Sequence, residues 1–108
     1  MSEREARIAR NEAVSREINE GIEDARPTDP GDYLRMVCEC GRPDCSSLIA
    51  ISLREYESVR ADPRTFAVDH AHIRPEVEEP VRTTERFVVV RKREGTPATV
   101  AEEEDPRS

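Results

Sequence analysis

The chain has 108 residues, enough for at most one domain with tails; charged residues (38%) outnumber apolar ones (35%), and the net charge is −7. An acidic chain of this kind repels nucleic acid at a distance, which argues against a DNA- or RNA-coating role. No apolar run approaches the length of a membrane span, and the first ten residues are charged, so neither a membrane nor a secretory signal is expected and the expected compartment is the cytoplasm.

Residues 1–26 are predicted to form an N-terminal helix, rich in Glu, Arg and Ala and free of Pro. Val14, Ile18, Ile22 and Ala25 make one apolar stripe, with Ile8 at its edge and Asn11 and Ser15 interrupting it on the same side. A helix docked only by apolar packing would not choose those residues. Arg4, Arg7 and Arg10 form a ridge beside Asn11, suited to phosphates or acidic side chains. The plainer expectation is a solvated, salt-bridged face, because acidic groups outnumber arginines on this segment. The candidate partner-binding residues are Arg4, Arg7, Asn11 and Ser15; docking of the helix on the chain's own sheet is the equal alternative.

Residues 27–32 form a linker by their Pro, Gly and Asp content. A strand over 33–38 then delivers the chain into Cys38-Glu39-Cys40-Gly41-Arg42-Pro43-Asp44-Cys45, which holds every cysteine of the sequence. A second strand covers 47–52. Ser52 and Glu55 have the spacing of a capping box opening a helix over 53–61, which Asp62-Pro63 ends. A short strand follows at 64–69, then an irregular loop over 70–80. The segment 85–93, centred on Phe87-Val88-Val89-Val90, is a strand, with Arg91-Lys92-Arg93 read as protection of a sheet edge. Residues 94–108 carry Glu102-Glu103-Glu104-Asp105 and are expected to be a disordered acidic tail. The fold class expected is α+β: a long helix, then a 33–93 domain of three to four antiparallel strands with one helix, stabilised by a zinc knuckle.

The cysteines carry the chemistry. Cys38 and Cys40 share one face of an extended segment, and Gly41 permits the turn that brings Cys45 round. With a downstream histidine they can close a tetrahedral site of three thiolates and one imidazole, a donor set that suits zinc. His72 is the expected fourth ligand; His70, two residues away on the same face, is the alternative. An odd, tightly spaced set of cysteines argues against a secreted disulfide scaffold. The deaminase pattern H-x-E with P-C-x-x-C is absent, as is H-E-x-x-H, so a structural zinc is expected rather than a catalytic one. Glu39 and Asp44 read as solvated knuckle residues. A core of about sixty residues rarely suffices alone, and a metal would supply the missing stabilisation.

Taken with Arg10-Asn11-Glu12, Arg16-Glu17 and Asn19-Glu20 before the knuckle, and Leu53-Arg54-Glu55-Tyr56-Glu57, Val59-Arg60, Pro63, Phe66 and His72 after it, the chain resembles a group of small uncharacterised bacterial proteins with a CxCG-x3-C…H zinc centre. The likeness spans roughly residues 10 to 93. In that group the histidine follows a glycine, where this chain has Asp69-His70-Ala71-His72. The resemblance implies a metal centre and a cytoplasmic location. The function expected is a non-enzymatic, zinc-binding interaction or regulatory module with a protein partner. The alternatives are a nucleic-acid-associated factor of the transcription or translation machinery, or a thiol-based redox or zinc-release sensor.

Overall fold

The computed structural model describes residues 3–25 and 31–107; most of the expected linker, 27–32, lies outside the described residues. Helix α1 covers Glu3–Ala25, β1 Tyr33–Val37, β2 Leu48–Ser52, α2 Leu53–Arg60, β3 Thr65–Val68, β4 Glu78–Thr83, β5 Val88–Lys92 and α3 Thr96–Glu103, with a 3-10 turn at His70–His72. The class is α+β as expected, with five strands in two antiparallel sheets: β1 pairs with β2, and β5 lies between β3 and β4. Among the described residues no helix is long and apolar enough to cross a membrane.

Strand alternation builds the core. Leu34 and Met36 of β1 face Ile49 and Ile51 of β2, and with Tyr56, Val59, Phe87 and Val89 they form one buried cluster. Phe66, Val68, Val88 and Val90 form a second cluster that includes Cys38 and Cys40. The capping box is formed: Ser52 Oγ accepts from Glu55 N–H, and the Glu55 carboxylate accepts from Ser52 N–H.

Among the described residues of its apolar stripe, helix α1 docks only Ile22, which packs against the first core cluster. Val14 and Ile18 stand in solvent, 53% and 48% exposed, whereas Ala9, Glu12, Ala13, Arg16 and Asn19 are buried. The reason is the polar surface beneath. Asn19 donates to the Val37 carbonyl (2.9 Å) and accepts from Val37 N–H (2.8 Å). Arg16 donates to the Pro63 (2.7 Å) and Ala101 (2.6 Å) carbonyls and lies over the Phe66 ring at 4.7 Å.

Three further expectations are corrected. The segment 94–108 is not a featureless acidic tail: α3 forms there, Ala98 and Ala101 are buried, Arg16 holds the Ala101 carbonyl, Arg60 holds Asp105, and the segment's own Arg107 pairs with Glu20, Glu23 and Glu57. Lys92 does not guard an edge: β5 is the central strand, and Lys92 is buried between the carboxylates of Glu12 and Glu78. Within the expected 70–80 loop, β4 begins at Glu78. Pro80 sits in β4, an edge strand, and the register shifts between Pro80 and Arg82.

Candidate metal centre

The knuckle is the connection between β1 and β2, pinned at several points. Cys38 N–H donates to the Ser47 carbonyl (3.0 Å), and Cys45 N–H closes a turn on the Arg42 carbonyl (3.1 Å). Glu39 N–H donates to the Ala67 carbonyl (2.9 Å), tying the knuckle to β3. Gly41 has φ +73°, and a Cβ there would fall 2.5 Å from the Ile8 carbonyl oxygen and 2.5 Å from Glu12 Cγ. Glycine is therefore required twice, by the left-handed backbone and by the close approach of α1. Asn11 of α1 donates to the Gly41 carbonyl (3.2 Å).

On the other side, β3 ends at Val68 and Asp69 caps the 3-10 turn by accepting from Ala71 N–H (2.9 Å). His72 N–H returns to the Asp69 carbonyl (2.9 Å), which sets the histidine over the cysteines. The ligand atoms of Cys38, Cys40, Cys45 and His72 lie within 4.8 Å of one another. His72 Nδ1 is 3.5 Å from Cys38 Sγ and 3.4 Å from Cys45 Sγ. A tetrahedron with metal–sulfur bonds of about 2.3 Å and metal–nitrogen bonds of about 2.0 Å has a sulfur–nitrogen edge of about 3.5 Å. The cluster can hold a metal ion. Of the two histidines, His72 belongs to it; the exposed His70 instead places Nε2 2.6 Å from the Thr84 carbonyl.

The electrostatics fit a cation. Cys38 shares a hydrogen bond with Cys40, which pushes the Cys38 thiol up, with burial as the next cause, and holds Cys40 down at about 5. One thiolate forms easily and the next is opposed by its neighbour, so a full set of three needs a compensating positive ion. Backbone N–H groups also point at sulfur: Asp69 N–H lies 3.2 Å from Cys38 Sγ, and Arg42 N–H bonds Cys40.

Glu39 is not solvated. It is fully buried, accepting from Ala67 N–H (3.0 Å), Asn19 Nδ2 (2.9 Å) and Tyr56 Oη (3.1 Å). Burial raises its carboxyl against these donors. The same alternation that turns Cys38 and Cys40 to one side turns Glu39 inward, a signal the spacing contained. Asp44 is exposed, as expected. Of the partner-binding candidates, Arg4 and Arg7 are exposed, Ser15 is half-buried, and the Asn11 amide is engaged on the knuckle. Arg74, which the sequence reading passed over, donates to the Cys40 carbonyl and lies 3.6 Å from Glu12.

Compared with protein-family models, curated proteins and solved structures, the chain matches none of them.

Proposed function

We propose that the chain is a non-enzymatic interaction module whose fold is stapled by a structural zinc held by Cys38, Cys40, Cys45 and His72. The observation that carries this reading is the approach of His72 Nδ1 to two cysteine sulfurs at tetrahedral-edge distance. Four protein donors fill a tetrahedral ion and leave no position for a reacting water. Glu39, the acidic group between the first two cysteines, is engaged by three donors and is not free to act as a base. The ion would join the β1–β2 connection to the turn after β3, adding a link between the two sheets beside the core cluster that both share.

The interaction role is supported by the outer face of α1. Val14 and Ile18, one turn apart, are about half exposed, an apolar pair that the fold leaves uncovered. Replacement of Cys40 by Ser tests the staple: circular dichroism should show lost strand signal and a thermal midpoint lower by more than ten degrees. An unchanged midpoint in Cys40→Ser would count against a structural ion.

A further inference from the structure

Between the first turns of α1 and the knuckle lies an open cleft of about 650 Å³. Four arginines line it, from three separate parts of the chain: Arg4 and Arg7 on α1, Arg42 in the cysteine loop and Arg74 after His72. Two carboxylates, Asp44 and Glu76, also line it, so the cleft carries a local excess of two positive charges in a chain of net charge −7. Like charges do not converge without cause, and only Arg74 has a carboxylate partner, Glu12 at 3.6 Å. Among the described residues Arg4, Arg7 and Arg42 make no ion pair or side-chain hydrogen bond, although the rest of the molecule pairs arginine with carboxylate repeatedly. Arg74 is tied to the Cys40 carbonyl, and its Nε is buried without a partner.

We propose that this cleft binds a small phosphorylated organic anion of about mononucleotide size, clamped by Arg4, Arg7, Arg42 and Arg74. Guanidinium groups present planar forks that match phosphate oxygens, and four from different directions can hold more than one phosphate. Ile8 and Pro43 supply an apolar wall for the organic part, and the Asp44 and Glu76 carboxylates can accept from hydroxyl groups. The volume falls within the range of roughly 300–1,000 Å³ common to small-ligand sites. A nucleic-acid strand fits less well, because the chain's net negative charge opposes a long polyanion while a short one meets only the local field. The proposal rests on the zinc-stapled knuckle only in that the knuckle holds Arg42 and Arg74 in place.

Isothermal titration calorimetry with adenosine diphosphate and with inorganic pyrophosphate tests it, on full-length protein whose zinc content has first been measured. Saturable one-to-one binding of both is expected, with Arg7→Ala and Arg42→Ala each weakening it by about tenfold or more. Arg35→Ala, on the exposed face of β1, should leave it unchanged. Arg7 lies outside the knuckle, so its variant should keep the full zinc content and thermal midpoint. Zinc-loaded protein that binds neither probe, or binds only a single-stranded oligonucleotide, overturns the anion site and leaves the staple standing. Equal weakening by Arg7→Ala and Arg35→Ala overturns it too. Protein without zinc that still binds both probes through Arg7 supports the cleft and refutes the staple.

Discussion

At the residue scale, two carboxyls in opposite surroundings give opposite pH signatures. The Arg86 guanidinium, bonded to Glu55 at 2.7 and 2.9 Å, holds that carboxyl down at about 2, below its ordinary 4.5. Its stabilising contribution is complete above about 4.5 and is lost as pH falls towards 2. Glu12 is the reverse. Burial raises it to about 7, although Lys92 opposes the shift. The folded state then keeps a proton that the unfolded chain releases, so this contribution favours folding below about 4.5 and is lost as pH rises through about 7. Thermal midpoints followed across that window should decline with rising pH in the native protein and be flatter in Glu12→Gln. Parallel profiles for the two proteins would mean that Glu12 does not titrate there.

At the scale of elements, the docking of α1 depends on polar contacts and on one missing Cβ. Adding a methyl group by Gly41→Ala brings it against the Ile8 carbonyl, which cannot move unless α1 moves. The left-handed backbone alone costs about 1–2 kcal/mol for a non-glycine residue. With the displaced helix the total should reach about 3 kcal/mol or more, seen as an earlier urea midpoint. Gly21→Ala is the control: nothing lies within 4 Å of a Cβ there, and a helical alanine should be neutral or slightly stabilising. If both alanines behaved alike, the close approach of α1 to the knuckle would be wrong.

The elements were legible where a local rule decided them. The Ser52–Glu55 box, the alternation in β1 and β2, the length of α1 and the cysteine cluster follow from spacing alone. What was not legible is which face of α1 turns inward. Val14 and Ile18 look like an inner stripe, but Glu12, Arg16 and Asn19 are buried because their partners (Lys92, the Ala101 carbonyl and Val37) come from distant parts of the chain. Helix α3 escaped for the same reason. Its acidic composition resembles a tail, and Arg16, Arg60 and Arg107 fix it only once the fold has assembled them. The choice between His70 and His72 likewise depended on the 3-10 turn that Asp69 caps, which places His72 among the sulfurs and His70 on Thr84.

For the whole molecule, the two sheets share no strand, and the knuckle reaches from the end of β1 to β3 and the turn beyond it. Both apolar clusters are small, the first spanning the two sheets and the second including Cys38 and Cys40, so an ion at the knuckle would contribute a large share of the folding free energy. The most direct measurement is the zinc content of untagged protein, purified under reducing conditions and passed over a mild chelator, with its thiols titrated in parallel. Close to one zinc per chain is expected, with all three thiols unreactive until the metal is removed. A metal-free protein that is folded, with three freely reacting thiols, would contradict it.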